Sequence, residues 1–277
     1  MQKARQAAGL TQQQLCQKAN LSFSTLTKIE RGAIRAPSIF TIQAIAGALG
    51  QGLDELVGQS APPRRELLKT KSGVSFIYFD VNGCLVHFFQ RAFAELAADT
   101  GASPDIIETA YWHYNDDVCR GVTSLEDFNA ELAKRIGVEK VEWQKYYLKV
   151  VEPIAQMHEL VRWASERYRV GLLTNTMSGL IGTMRRSGQV PDLAYDAIVD
   201  SSEIGTIKPE PKIYGVAQER AGCPPEEILL IDDSRVNLMA AEKLGWHVLW
   251  FDDARAEEST DHVREALQPA AKPAERS

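Results

Sequence analysis

Residues 76–85 read Phe-Ile-Tyr-Phe-Asp-Val-Asn-Gly-Cys-Leu: an apolar run, a carboxylate, then a tight glycine turn. A strand buried on both faces has this continuous apolar character, and it would deliver Asp80 to the carboxyl edge of a parallel sheet, where α/β sheets bind ligands. Outward from this run, short apolar stretches alternate with helical patterns from Gly73 to about Asp253. The pattern predicts strands at Val74–Phe79, Val170–Leu173, Ala197–Val199, Ile228–Ile231 and His247–Phe251. The first two are separated by about ninety residues of helical pattern (Gln90–Ala98, Pro104–Tyr114, Leu125–Arg135, Trp143–Val151, Gln156–Arg167). A parallel crossover needs one helix, so the surplus predicts an inserted helical cap over about 88–165. The expected fold class is an α/β doubly wound parallel sheet with that cap, preceded by an all-α five-helix module.

The bulk numbers fit a chain without a membrane partner. Its 277 residues are 44% apolar and 25% charged, and no apolar stretch reaches the length of a membrane span. The N-terminus lacks the apolar core of a secretory signal. Cys16, Cys84, Cys119 and Cys223 are far apart, which suits buried reduced thiols in a cytoplasmic protein rather than a disulfide framework or a zinc site. The net charge of −6 is unevenly spread: the chain through Ser60 carries +3, leaving −9 for the remainder. A basic N-terminal piece on an acidic body suits a nucleic-acid module carried by a larger domain. Residues 59–72 read as a linker, because Pro62-Pro63 stops a helix and basic residues follow. The boundaries expected are 1–58 for the module, 73–253 for the α/β domain and 254–277 for a tail, with one amphipathic turn or two around Val263 to Leu267.

The module has its own signature. Thr11 followed by Gln14 is a capping box, Asn20 supplies a turn, and Ser22 caps the next helix. Leu10, Leu15, Ala19, Leu21, Leu26 and Ile29 fall where two crossed helices share a core. The stretch Gly9–Gly32 closely resembles the phage-repressor (Cro/C1, XRE) class of helix-turn-helix, and the likeness extends over nearly all of residues 1–58. It implies that the second of these helices enters the major groove of a double-stranded DNA operator with Phe23, Ser24, Thr27 and Lys28, while Gln12 holds a phosphate. It also implies an internal Arg5–Glu30 ion pair and binding as a homodimer to a two-fold operator.

Four further segments occur in order: Asp80-Val-Asn82-Gly-Cys-Leu, Leu-Leu-Thr174-Asn175-Thr, Ile-Lys208-Pro-Glu-Pro-Lys-Ile-Tyr, and Ile-Asp232-Asp233-Ser-Arg-Val-Asn. Each follows a predicted strand or sits on the loop after one. Together they resemble the haloacid-dehalogenase-like (HAD) hydrolase superfamily with a helical C1-type cap, over roughly residues 73–253. The resemblance implies strand order 3-2-1-4-5. It implies Mg²⁺ held by Asp80, the backbone carbonyl of Asn82, and Asp232 with Asp233. It further implies Asp80 as nucleophile, and Thr174, Asn175 and Lys208 around the phosphate of a phosphorylated small molecule.

The chain departs from that pattern at Asn82, where the family usually carries a second aspartate that moves a proton. General acid–base help is typically worth about 10²–10⁴-fold. Three readings follow: a slow or leaving-group-selective phosphatase, with His87 or a cap residue as acid; a sensor whose phosphate site biases the DNA-binding dimer; or a 2-haloacid dehalogenase, whose relatives also lack the second aspartate. The cap offers Tyr111, Trp112, His113, Tyr114, Arg120 and Tyr146–Tyr147, with Arg120 placed to reach a substrate anion. The preferred reading is a transcriptional regulator with weak phosphatase activity. The alternative is a Mg²⁺-dependent phosphomonoesterase with an accessory DNA-binding domain.

Overall fold

The computed structural model describes residues 2–34, 37–49 and 67–269. The chain forms two compact units, Met1–Arg65 and Glu66–Ser277. In the first, α1 (Gln2–Ala7), α2 (Gln12–Ala19), α3 (Phe23–Glu30) and α4 (Ile39–Leu49) enclose a small core. Leu15, Leu26 and Ile45 are fully buried there, with Ala19, Ile29 and Ile42 around them. The local chemistry sets the turn. The Thr11 hydroxyl accepts from the Gln14 amide while the Gln14 side chain accepts from Thr11 N–H. Asn20 takes a left-handed φ of 50° between α2 and α3, and Ser22 caps α3 at Thr25 N–H. The expected fifth helix lies outside the described residues.

The second unit starts earlier than the expected Gly73. Leu68 N–H bonds to Arg167 O at 2.8 Å and the Thr70 side chain is buried, so residues from Leu67 onward are stitched to the body. Five parallel strands, β1 (Phe76–Phe79), β2 (Arg169–Thr174), β3 (Ala197–Asp200), β4 (Ile228–Asp232) and β5 (His247–Trp250), lie in the order β3-β2-β1-β4-β5. β1 begins two residues after the predicted Val74, because a Thr70–Val74 turn through Gly73, at φ 90°, intervenes. All four residues of β1 are buried, and alternate residues feed two separate cores. Ile77 and Phe79 face one, with Leu172 and Ile231. Phe76 and Tyr78 face the other, with Leu173 and Leu230.

Between β1 and β2 stand α5 (Arg91–Thr100), α6 (Pro104–Cys119), α7 (Leu125–Ile136), α8 (Trp143–Val150) and α9 (Ala155–Ser165). α9, predicted as part of the cap, instead packs on β2 and on a C-terminal helix. Its Met157, Leu160, Val161 and Ala164 are fully buried, so it is the crossover helix, and α5–α8 form the insertion. The rest of the body contributes α10 (Leu180–Arg186), α11 (Ser201–Ile204), α12 (Pro211–Ala221) and α13 (Arg235–Lys243). The predicted tail after Asp253 holds a full helix, α14 (Ala256–Ala266). Val263 and Leu267 join the larger core, and Tyr168 Oη donates to Leu267 O at 2.6 Å.

Candidate active site and nucleic-acid interface

Asp80 follows β1 directly and Asp232 ends β4, its neighbour in the sheet. The pairing Phe79↔Ile231 brings the two to the same level at the point where strand order turns. Lys208 joins them. Its ammonium lies 2.9 Å from Asp80 Oδ1, and donates to Asp232 Oδ2 at 2.6 Å and to Leu173 O at 2.8 Å. Burial works against this charge, but Asp232 and Asp80 outweigh it and hold the ammonium above its usual pKa. Asn175 fixes the lysine's backbone from both sides: its amide donates to Lys208 O at 2.8 Å and accepts from Lys208 N–H at 2.7 Å. Asn175 lines the cavity, but both of its amide functions are engaged in placing Lys208.

The structure separates the two adjacent aspartates. Asp232 is fully buried, and its oxygens take Lys208, Ser234 N–H at 2.8 Å and the Asn237 amide at 3.0 and 3.2 Å. Asp233 turns the other way, into the cavity over Asp80. It fits beside the turn because residue 83 is glycine: at φ 76°, a Cβ there would fall on the Asp233 carboxylate. Carboxylate oxygens of Asp80, Asp232 and Asp233 all lie within 4.8 Å of one another. Burial pushes the Asp80 carboxyl up to about 6, with Lys208 pulling it back and Asp232 adding to it. Burial, then Asp80 and Asp232, push Asp233 up to about 7. Crowded oxygen donors whose ionised forms are this costly suit a hard divalent cation such as Mg²⁺. Asn237, which the sequence analysis did not single out, holds Asp232 in place. Its spacing of five from Asp232, at the start of α13, was the available signal.

A cavity of about 280 Å³ opens over Asp80, lined on the sheet side by Asn82, Asn175, Lys208 and Asp233. The insertion supplies an aromatic opposite wall. Asn82 touches that wall directly: Tyr147 Oη, on α8, donates to Asn82 Oδ1 at 2.5 Å. Thr174 is fully buried at the end of β2 and its hydroxyl has no hydrogen-bond partner. Two expectations fail on geometry. Arg120 does not line the cavity; it pairs with Glu210 at 2.7 and 2.9 Å and with Asp117 at 3.4 Å, bracing the insertion against the Lys208 loop. His87 stands half exposed beside Asp253, 3.8 Å away, and is not part of the cavity wall.

In the first unit, Phe23, Ser24 and Lys28 are exposed along α3, and Phe23 begins the helix at 51% exposure. Thr27 departs from expectation: its hydroxyl is turned inward and unpartnered. Gln12 is also engaged inside the module. Its amide donates to Glu30 Oε2 at 2.7 Å, next to the two-pronged Arg5–Glu30 pair at 2.7 and 3.1 Å.

Comparison with known proteins divides the chain the same way. Residues 1–56 match the helix-turn-helix family and residues 78–251 match the haloacid dehalogenase-like hydrolases. The immunity repressor protein of Bacillus phage phi105 is 47% identical over 57 residues, 21% of this chain and 39% of the repressor. An (S)-2-haloacid dehalogenase of Pseudomonas fluorescens is 25% identical over 83 residues, 30% of this chain and 36% of that one. The phosphorylated carbohydrates phosphatase of Thermotoga maritima is 28% identical over 123 residues, 44% of this chain and 53% of the phosphatase. Thus the chain spans little more than half of these relatives at most. Among solved structures, a HAD family enzyme of Bacteroides thetaiotaomicron, an Asp12Ala mutant in complex with magnesium and inorganic phosphate, superposes with a TM-score of 0.56. It is 21% identical, and the match covers 64% of this chain and 94% of that one.

Proposed function

The chain belongs to the haloacid dehalogenase-like hydrolases and carries a repressor-type helix-turn-helix at its N-terminus, and on that premise we propose that it is a DNA-binding regulator whose body binds Mg²⁺ and a phosphorylated small molecule, with slow phosphatase turnover through Asp80. The observation that carries this reading is the lysine-centred acidic cluster: three carboxylates with oxygens within 4.8 Å and one buried ammonium joining two of them. Asp80 and Asp233, with the backbone carbonyl of Asn82, are the residues that would hold the cation, while Asp232 orients Lys208. Bound there, Mg²⁺ would offset charge between the carboxylates and a phosphoryl group. Asp80 attacks phosphorus as the bond to the ester oxygen breaks, and water later releases phosphate from Asp80. Lys208 keeps Asp80 ionised and meets charge on the phosphoryl oxygens. The unpartnered Thr174 hydroxyl is a free donor at the same sheet edge. On the DNA side, Phe23, Ser24 and Lys28 are the open face of α3 offered to the major groove, and two copies would read a two-fold operator.

The dehalogenase-like stretch keeps a second chemistry in play, but a metal-free dehalogenase has no use for three mutually crowding carboxylates. A Mg²⁺-dependent assay with p-nitrophenyl phosphate and an alkyl phosphate tests the reading on wild type, Asp80→Asn and Asn82→Asp. Asp80→Asn should lose turnover. Asn82→Asp should raise alkyl phosphate turnover about 100-fold by restoring a proton donor. Chloride release from a 2-haloacid, without Mg²⁺ and without phosphate turnover, would replace the phosphatase reading with dehalogenation.

A further inference from the structure

Opposite the acidic cluster, the cavity wall is built from Phe88, Phe89, Tyr111, Trp112, Trp143 and Tyr147. Most of these rings also knit the insertion's core, as the edge-on contacts of Phe89 with Tyr111 and Trp143 show. Two of them also pack on Phe89, yet keep part of their ring faces open. Phe88 and Trp112 are 37% and 45% exposed, and their rings are nearly parallel, 8° apart, with centroids separated by 6.4 Å. Trp143 is fully buried on the same wall, and its indole N–H has no hydrogen-bond partner. Among the lining residues the only cationic side chain is Lys208, already held between Asp80 and Asp232. A second anionic group on a ligand would therefore find no free cationic partner and would face Asp116 and Asp233.

An independent constraint comes from position 82. An amide clasped by Tyr147 gives no proton to a departing oxygen. An alkoxide leaving unprotonated is about as basic as hydroxide, whereas a phenolate is less basic by about six pKa units. With no proton to give at position 82 and the Tyr147 hydroxyl turned onto Asn82 Oδ1, the site favours aryl oxygen as the leaving atom.

From these two lines we propose that the body's ligand is the monophosphate of an aromatic hydroxyl compound, carrying no second negative charge, with its ring against Phe88 and Trp112. The inference rests on the phosphate reading above. In the reaction the ester's phosphorus–oxygen bond breaks as the Asp80 oxygen–phosphorus bond forms, the aryl oxide departs with the electron pair and takes its proton from solvent, and water then cleaves the aspartyl-phosphate to free phosphate.

Three esters separate the components: phenyl phosphate has the ring and the good leaving group, benzyl phosphate the ring alone, and 2-glycerol phosphate neither. Calorimetry with Mg²⁺ on the full-length Asp80→Asn protein should show phenyl and benzyl phosphate binding about tenfold tighter than glycerol phosphate. Turnover by wild type should favour phenyl over benzyl phosphate by at least about 100-fold. Phe88→Ala and Trp112→Ala, at exposed positions, should abolish the ring preference while leaving affinity for inorganic phosphate unchanged. Ester affinities that fall together with that of inorganic phosphate in these variants would overturn the proposal, as would equal binding of glycerol phosphate by the unaltered wall. Failure of inorganic phosphate to bind at all would instead bring down the phosphate reading beneath it.

Discussion

Asp80 and Asp233 hold their protons more tightly in the fold than an unfolded chain would, at about 6 and about 7 against ordinary aspartate near 3.9. A carboxyl raised by folding makes the folded state the better proton binder between those values. Stability without metal therefore falls as pH climbs from about 4 toward 7. A divalent cation competes with these protons at low pH and relieves the repulsion once both groups ionise. The rise in melting temperature on adding Mg²⁺ should thus be small at pH 5 and grow toward pH 8. A rise that is the same at both pH values would mean that the two carboxylates do not share the cation. Much of this was legible in the sequence, because each acid stands at the end of an apolar run, where a parallel sheet must present it. Which of Asp232 and Asp233 faces the cavity was not legible. That depends on Asn237 and Ser234 N–H claiming one carboxylate and on Gly83 making room for the other. Arg120 failed for a related reason: its partner Glu210 is ninety positions away in sequence.

Elements with a strong period were read well and those held by few buried residues were not. The strands were visible as apolar runs, and their order followed the family likeness. α14 was read only as an amphipathic turn or two around Val263 to Leu267, because only Thr260 and Val263 along it are buried, too sparse a stripe to separate from a polar tail. α9 was found but given to the wrong layer, since an apolar helical face does not say which surface it covers. In the first unit the Arg5–Glu30 pair ties α1 to the end of α3, with Arg5 also donating to Leu10 O at 2.9 Å. The Glu30 carboxylate is 3% exposed and also receives Gln12. Replacing it with alanine takes the carboxylate partner from a guanidinium and an amide, a change worth about 2 kcal/mol for a pair not fully cut off from water. Hydrogen exchange in α2 and α3 of the full chain should then speed up roughly 30-fold, while β1 and β4 stay protected. Unchanged exchange in α2 would show that the small apolar core alone sets the module's stability.

At the scale of the whole molecule, a basic reading head and an acidic body share one chain, +3 through Ser60 against −9 beyond it. The body's charge opposes approach to DNA, so affinity rests on the head, and a single α3 with three open side chains offers few contacts. In the proposed dimer, two copies on a two-fold site would double them, and anything in the body that altered pairing or presentation of the heads would then alter operator affinity. Such coupling is reciprocal: a ligand that tightens DNA binding is itself bound more tightly on DNA, by the same factor. We expect phenyl phosphate with Mg²⁺ to shift operator affinity by about 5- to 150-fold. The operator would be one selected from random duplexes and titrated by fluorescence anisotropy at fixed salt, because phosphate contacts make affinity steeply salt-dependent. Lys208→Ala, which removes the ammonium between Asp80 and Asp232, should abolish the shift and leave ligand-free DNA binding intact. Operator affinity indifferent to ligand, in a protein that turns over aryl phosphates, would favour the other arrangement: an enzyme whose helix-turn-helix acts only as a tether.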